Sequence, residues 1–327
     1  MKIGILGATG AVGRQMITCL EERKLDVEDL RLFASERSAG KQLTFHGKKI
    51  TVETVSQERL NGLDYVLGAV SNDLSKKYLP LLQQAGAVYV DNSSAFRLQE
   101  DVPLVVPEIN GEDALHHHGI IANPNCSTII TMMALAPLVC IAKLNKLVVS
   151  TYQAVSGAGT MGLQELQEEM KAVAERSEIK PEVFKKQIAC NVLAEIGSCT
   201  ANGFTTEEMK MQNEGRKILH LPEMKVDCTC VRVPVMRSHS ISIQAIFEDP
   251  LSAEQAEKAI SSFKGDVLCQ DDVPSPLETS DQDLVYVGRI RQSLTDPNGL
   301  VLWCCGDQIR KGAASNAVQI IAYLENR

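Results

Sequence analysis

The first segment of the chain constrains the fold most, because it joins a short apolar strand to a helix through a glycine-rich turn. Residues 2–8 are apolar and run into Gly7-Ala8-Thr9-Gly10-Ala11-Val12-Gly13, and a helical pattern follows to about Arg23. In this context a glycine motif predicts a dinucleotide site, since the glycines let the backbone approach a pyrophosphate at the helix N-terminus. The spacing is G-x-x-G-x-x-G, so a purely structural turn remains the alternative.

The pattern after this turn extends the same fold. Further strands are predicted at residues 29–34, 49–55, 63–70, 87–92 and 119–122, with helical stretches between some of them. This alternation predicts an α/β fold, a doubly wound parallel sheet of the Rossmann-like type.

The residues after the second strand bear on which dinucleotide binds. The chain reads Ser35-Glu36-Arg37-Ser38 at this point. Arg37 with its flanking hydroxyls suits the 2′-phosphate of NADP, whereas Glu36 suits the ribose hydroxyl of NAD. NADP is favoured and NAD stays open.

The second half of the chain has a different pattern, with longer strands predicted at residues 146–154, 227–235, 240–247, 284–291 and 300–304. Helices are predicted at residues 161–176 and, behind the capping pair Ser252/Gln255, at residues 253–263. This predicts an α+β domain with a mixed sheet.

The final run, residues 312–326, is helical and is expected to return to the nucleotide domain. A chain of 327 residues favours two domains, expected at residues 1–126 with 308–327 and at residues 127–307.

Charge and cysteine usage exclude several classes of protein. The net charge of −8 argues against broad binding to nucleic acid or anionic membranes. Ten cysteines without a C-x-x-C pair resemble neither a disulfide framework nor a zinc site, so reduced cytoplasmic thiols and no bound metal are expected. No signal peptide is expected. Residues 127–144 are the most apolar run, but they contain Pro137 and Lys143, so a buried helix broken at the proline is predicted.

Cys126 is the candidate nucleophile. It lies in Asn123-Pro124-Asn125-Cys126-Ser127-Thr128, where the strand at residues 119–122 gives way to a helical run. At a helix start the first N–H groups lack partners and the macrodipole is positive, so a thiolate is stabilised there. Asn125 and those N–H groups can also hold an oxyanion. The alternative is a buried cysteine at an ordinary strand–helix turn, since free cysteine usually behaves as a small hydrophobic residue.

Four charged or titratable residues become candidates once a nucleophile is present. His239 is the only histidine in a strand-like segment with arginines nearby, and a cysteine nucleophile needs a base. Arg97, Arg232 and Lys217 would otherwise be solvated surface charges. Together they can hold an anionic substrate, since arginine binds a carboxylate through two hydrogen bonds.

Segments along nearly the whole chain resemble the aspartate-semialdehyde dehydrogenase family. Each segment is weak alone, and their shared order makes the resemblance specific. Besides the glycine turn, they are residues 34–40 (ASERSAG), 91–97 (DNSSAFR), 106–110 (VPEIN), 123–128 (NPNCST), 152–159 (YQAVSGAG), 232–239 (RVPVMRSH), 287–291 (VGRIR) and 310–314 (RKGAA).

The resemblance implies a role for each matched position. Cys126 would form an acyl-thioester, with Gln153 orienting the intermediate and His239 as general acid/base. Arg232 would bind the substrate α-carboxylate, Glu214 its α-ammonium group, and Arg97 with Lys217 and Asn125 its phosphate. The cofactor site would be lined by Gly7, Thr9, Gly10, Ala11, Val12, Gly13, Ser35, Arg37, Ser38, Ser156, Gly157 and Gln308.

The implied reaction is the NADPH-dependent reductive dephosphorylation of L-4-aspartyl phosphate to L-aspartate 4-semialdehyde. It would serve lysine, threonine, methionine and diaminopimelate biosynthesis. The resemblance also implies a cytoplasmic homodimer or tetramer whose second domain is catalytic and dimerising. Its partners would be small-molecule substrates, with no nucleic acid and no membrane.

The chain departs from the family pattern at one segment and two single positions. Gly68-Ala69-Val70-Ser71 replaces the usual Ser-Ala-Gly-Gly, Gln308 stands where an asparagine is usual, and Gly215 replaces a threonine. None of these changes removes a catalytic group.

Three other functions stay open at this point. N-acetyl-glutamyl-phosphate reductase has similar chemistry but no free α-ammonium group for Glu214 to bind. A non-catalytic relative would be expected to have lost Cys126, Gln153, Arg232 or His239. A thiol protease would leave the glycine turn unexplained.

Overall fold

The computed structural model describes residues 1–327, which form two units. The first unit is Met1–Asn125 with Ala313–Arg327, and the second is Cys126–Gly312. The strands are β1 (Lys2–Leu6), β2 (Asp29–Phe33), β3 (Gln42–Phe45), β4 (Lys48–Glu53), β5 (Tyr65–Gly68), β6 (Val88–Asp91), β7 (Ile120–Ala122), β8 (Leu144–Gln153), β9 (Lys225–Arg232), β10 (His239–Phe247), β11 (Asp266–Cys269), β12 (Val285–Gln292) and β13 (Gly299–Gly306). The helices are α1 (Ala11–Glu22), α2 (Gln57–Leu60), α3 (Asn72–Ala85), α4 (Pro107–Asn110), α5 (Cys126–Val139), α6 (Gly159–Glu175), α7 (Thr206–Ile218), α8 (Ala253–Ser261), α9 (Pro276–Thr279) and α10 (Ser315–Glu325).

The first unit is a seven-stranded sheet in the order β3-β4-β2-β1-β5-β6-β7. Every neighbouring pair is parallel except β3 with β4. The chain leaves β1 toward β2 on one side and later returns to β5 on the other, so β1 marks the point where the strand order reverses. Ligands of such sheets bind at the carboxyl end of that strand. The predicted doubly wound fold is confirmed.

The second unit is a six-stranded mixed sheet in the order β11-β12-β13-β10-β8-β9, which confirms the predicted mixed sheet. The pairs β8–β9 and β11–β12 are parallel and the others are antiparallel. Helices α5, α7 and α8 pack on the sheet. Helix α5 is apolar all round and buried over residues 127–138, so it is a core helix.

Sequence reasoning missed strands β3 and β11, helix α7 and the one-turn helix α9. Strand β3 pairs with β4 through a two-residue turn in which His46 and Gly47 both have positive φ, of 47° and 75°. That is the twist a tight hairpin needs, but His-Gly is a less recognisable signal than Asn-Gly. Helix α7 was missed although Thr205 and Glu208 form the same capping box that identified α8.

The predicted break at Pro137 is wrong. Helix α5 continues through this proline and ends at Val139. Pro137 lies in the last turn of α5. Its missing N–H therefore removes a single backbone hydrogen bond, close to the residue at which the helix ends. Burial of the residues before it stabilises the helix. No helix in the structure has both the length and the apolarity that crossing a membrane would need.

Candidate active site

Three strand ends of the mixed sheet meet at one edge and carry the site. Gln153 is the last residue of β8, Arg232 the last of β9, and His239 the first of β10. Gln153 pairs in register with Arg232 in the parallel β8–β9 ladder, and Tyr152 pairs with Ser240 in the antiparallel ladder. Parallel strands end together and an antiparallel neighbour begins where they end, so the three side chains are brought together by topology.

Cys126 and His239 form the centre of this site. Cys126 is the first residue of α5, where the positive end of the helix dipole stabilises a thiolate. Its Sγ lies 3.5 Å from His239 Nε2. This contact joins a nucleophile to a proton-bearing ring within one unit of the fold.

The backbone fixes which nitrogen of His239 carries the proton. The Ala154 N–H donates to Nδ1 at 3.0 Å, so Nδ1 is an acceptor and the neutral ring carries its proton on Nε2. The ring is fully buried. Burial first, and the charge of Arg232 second, lower the pKa of His239 to about 3. The imidazole is therefore neutral at physiological pH and directs an N–H group at the sulfur.

The segment before His239 is held by a hydrogen-bonded turn. Ser238 has a positive φ of 71°, which is uncommon for a residue other than glycine. Its N–H donates to Gln308 Oε1 at 2.8 Å, and its hydroxyl lies 2.6 Å from that of Thr279. Gln308 Nε2 also donates to the Ser156 hydroxyl. Gln308 therefore ties the start of β10 to the turn that carries Ser156.

Arg232 is buried against the same turn. Its Nη1 donates to the Ala154 carbonyl at 2.7 Å, and its guanidinium carbon lies 5.9 Å from the centre of the Phe184 ring. A Cβ on Gly157 would lie 2.7 Å from Nη1 and 3.6 Å from His239 Cε1. A side chain at 157 would displace the guanidinium, so the Ser156-Gly157 turn lies directly against it. Burial lowers the pKa of Arg232, but arginine remains protonated in proteins.

The remaining polar candidates of this unit lie on α7 or contact it. Gln153 accepts from the Thr151 hydroxyl at 2.9 Å and donates to Glu207 at 3.2 Å. Glu214 is buried two turns further along the helix, and Lys217 is half-buried nearly one turn beyond it.

In the first unit, the glycine turn lies at the carboxyl end of β1. Gly7 has a φ of 77°, and a Cβ there would lie 2.2 Å from the Ala69 carbonyl oxygen. A Cβ on Gly13 would lie 2.3 Å from the Gly7 carbonyl oxygen. Gly10 caps α1, whose first turn carries no acidic residue. This cradle presents N–H groups and a positive dipole end, as a pyrophosphate requires.

The residues that would distinguish NADP from NAD follow β2. Glu36 and Arg37 lie in a short 3-10 helix, and both side chains are exposed. Neither is hydrogen-bonded or ion-paired to another side chain. Both are therefore open to a ribose, and Ser35 and Ser38 flank them.

Arg97 and Asn125 also belong to the first unit. Arg97 is buried and donates to the carbonyls of Asn92, at 2.8 Å, and Asn123, at 2.9 Å, just after β6 and β7. Asn125 is buried and directly precedes Cys126 in the chain. These bonds hold Arg97 at the carboxyl edge of the sheet.

Comparison with known proteins finds relatives that match nearly the whole chain. The profile described as "Semialdehyde dehydrogenase, NAD binding domain" matches residues 2–117, and "Semialdehyde dehydrogenase, dimerisation domain" matches residues 135–311. Aspartate-semialdehyde dehydrogenase of Synechocystis is 45% identical over 100% of this chain and 98% of its own length. The Bacillus subtilis enzyme of the same name is 43% identical over 99% of this chain and 97% of its own.

The chain belongs to the aspartate-semialdehyde dehydrogenase family. A structure of aspartate semialdehyde dehydrogenase II from Vibrio cholerae, complexed with ASA, superimposes with a TM-score of 0.98 and 39% identity, covering 99% of this chain and 98% of that one. The enzyme from Candida albicans with NADP gives 0.76 and 25%, covering 99% and 98%. The resemblance inferred from the sequence is confirmed. The chain has the fold of an oxidoreductase of amino-acid biosynthesis with an NAD(P)-binding domain.

Sequence reasoning missed two groups of this candidate site. The Ala154 peptide binds His239 through its N–H and Arg232 through its carbonyl. A backbone group leaves no signal in the residue type. Glu207 contacts Gln153 and belongs to the helix that sequence reasoning did not predict. The capping box that begins at Thr205 is the sequence signal that predicts this helix.

Proposed function

We propose that this chain reduces L-4-aspartyl phosphate to L-aspartate 4-semialdehyde with NADPH, through a thioester on Cys126. The step would feed lysine, threonine, methionine and diaminopimelate biosynthesis. The observation that supports it most is the Cys126 sulfur at the start of α5, 3.5 Å from the Nε2 of a neutral His239.

The chain's own residues would carry the chemistry as follows. The Cys126 thiolate attacks the acyl carbon and expels phosphate, and a thioester forms. NADPH, when bound, would supply a hydride to the thioester carbonyl. The resulting oxyanion collapses to the aldehyde and expels Cys126 as a thiolate, which the Nε2–H of His239 stabilises. Gln153 holds the intermediate in place.

Each charged group of the substrate would be bound by side chains that carry the opposite charge. Arg232 binds the α-carboxylate and Glu214 the α-ammonium group, while Arg97, Lys217 and Asn125 bind the phosphate. The buried guanidinium of Arg232 supports this assignment, because a desolvated arginine binds a carboxylate strongly.

The cofactor would be held by the glycine turn and by the residues after β2. Gly7, Thr9, Gly10 and Gly13 shape the cradle for the pyrophosphate, with Ala11 and Val12 at the start of α1. Arg37, Ser35 and Ser38 bind the 2′-phosphate. Ser156, Gly157 and Gln308 line the nicotinamide end.

The test is phosphate-dependent reduction of NADP by the purified protein with L-aspartate 4-semialdehyde, with NAD in parallel. We expect kcat/KM to be at least about tenfold higher with NADP, because Arg37 adds a charge-assisted contact to the 2′-phosphate. Arg37→Ala should remove this preference and leave turnover with NAD unchanged. Equal rates with both cofactors would keep the reaction and contradict NADP preference. No turnover with either would point to another acyl phosphate.

We further propose that the protein is a homodimer formed through the uncovered face of the mixed sheet. On the central strands alternate residues point away from α5, α7 and α8, and several are apolar and at least partly exposed. They are Val148, Tyr152, Ile246, Val301 and Trp303. The Tyr152 and Trp303 rings lie 5.5 Å apart. A sheet face that exposes large apolar side chains among polar ones fits an interface between subunits, and this sheet belongs to the segment that matches a dimerisation domain.

Sedimentation measurements should therefore give twice the chain mass of 35.7 kDa. Val148→Asp would place a charge in the interface without touching the site, and should produce monomers. Monomeric wild-type protein would contradict the dimer, and a mass of four chains would add a second interface.

A further inference from the structure

Glu207 is a buried carboxylate with two defined partners. It is 9% exposed and lies in the first turn of α7, where the helix dipole favours a negative charge. One oxygen accepts from Gln153 Nε2 at 3.2 Å, and the other from Lys210 Nζ at 2.8 Å. Glu207 therefore connects the Gln153 amide, at the end of β8, to a partly exposed lysine.

This contact fixes the direction of the Gln153 amide. A carboxylate only accepts hydrogen bonds, so the NH2 group of Gln153 must face Glu207. The amide oxygen then faces Thr151, whose hydroxyl donates to it at 2.9 Å. Rotating the amide by half a turn would place its oxygen against the carboxylate and lose the Glu207 contact, whereas the Thr151 hydroxyl could accept from the rotated NH2 group, so Glu207 decides the orientation. The remaining N–H and lone pair of Gln153 are thereby given one orientation.

The charge of Glu207 also reaches the other site residues. It opposes the burial and the Arg232 charge that lower the pKa of His239, and it counteracts the lowering of the Arg232 pKa. The charged groups around His239 are thus Arg232 on β9 and Glu207 on α7, with the Cys126 thiol on α5. Glu207 is hydrogen-bonded to Gln153, the in-register strand neighbour of Arg232, so its charge lies close to the guanidinium and, after that of Cys126, offsets it.

We propose that Glu207 is a positioning residue for the reaction: it sets the orientation of the Gln153 amide and balances the charge of Arg232. This role rests on the proposed function of Gln153.

Two variants separate this role from simple packing. Glu207→Gln keeps the volume but removes the charge. Its amide has a single oxygen, and the Lys210 ammonium group, which only donates and is the stronger donor, takes it, so an NH2 group faces Gln153 and that contact fails. Glu207→Asp is shorter but still only accepts. We expect kcat to fall about tenfold or more in E207Q and less in E207D, with KM for L-aspartate 4-semialdehyde within about threefold. A packing role predicts the reverse order, because glutamine fills the same space.

Glu208→Gln is the matched control, on the same turn of the same helix. Glu208 accepts from the backbone N–H groups of Thr205 and Cys230, and has no contact with Gln153. It should lower Tm and leave kcat unchanged. If E207Q keeps wild-type kcat, or is more active than E207D, the proposal is overturned. If E207Q does not fold, Thr151→Val replaces it as the test. A tenfold fall in kcat in T151V would mean that Thr151, not Glu207, orients the Gln153 amide, and would overturn the proposal.

The wild-type assay separates this inference from the proposed function. Turnover by wild-type protein establishes the reaction, and the variants then report on Glu207 alone. If wild type shows no turnover, alkylation of Cys126 by iodoacetamide in mildly acidic buffer replaces kcat. Loss of a negative charge favours the thiolate, so E207Q should react faster than wild type and E207D should not. Equal rates would overturn the charge-balancing role.

Discussion

Replacing Cys126 with alanine should lower turnover at least about a thousandfold and leave nucleotide binding unchanged. The thiolate is the only group in the proposed reaction that bonds to the substrate, so no other side chain can replace it. The glycine turn and Arg37 are untouched by the change. Phosphate-dependent reduction of NADP measures the loss, and titration calorimetry with NADPH measures the binding.

Cys126→Ser sharpens this prediction. A serine hydroxyl needs a base to take its proton, but the Ala154 N–H holds His239 with its acceptor nitrogen turned away from residue 126. The serine variant should therefore be as inactive as the alanine variant. Cys140→Ala, at an exposed cysteine elsewhere, should be fully active. Near-normal turnover by C126A would contradict the thioester mechanism, and activity in C126S alone would contradict the fixed proton position.

The sequence predicted the larger features of the fold because they depend on local patterns. Alternation of apolar strands and helices identified the parallel sheet, and the glycine turn identified its central strand. The observed ends of strands and helices differ from the predicted ends by a few residues, because the residue at which strand pairing stops depends on neighbours from distant segments. Strand β3 depends on a turn of unusual sequence, and Pro137 interrupts nothing because the buried face of α5 outweighs one lost bond.

The site could be predicted only where residue type carries the chemistry. Cys126, Gln153, Arg232 and His239 were identified from motifs, and the structure brings these four together at one edge of the mixed sheet. The Ala154 peptide could not be found in this way, because any residue offers the same N–H and carbonyl. The tight contact between Gly157 and the Arg232 guanidinium joins residues that are distant in sequence. Such features appear only when separate strands are brought together.

Arg232→Lys should lower kcat/KM for L-aspartate 4-semialdehyde about tenfold to a hundredfold, mainly by raising KM. The guanidinium uses one N–H group for the Ala154 carbonyl and has others for the substrate carboxylate. An ammonium group is a single point that cannot make both contacts in the same geometry, and it loses the contact with the Phe184 ring. It is also more strongly hydrated, so burying it costs more.

The same substitution at an exposed position is the control for R232K. Arg176 follows α6 at the surface, and Arg176→Lys should leave both kinetic constants unchanged. R232K should lower the rate at which iodoacetamide alkylates Cys126 much less than it lowers kcat/KM. Iodoacetamide is a neutral electrophile and has no carboxylate for Arg232 to bind. A fall in kcat with KM unchanged would mean that Arg232 acts on the chemical step, through His239 or Cys126. Substrate binding would then have to depend on a different cation of the site.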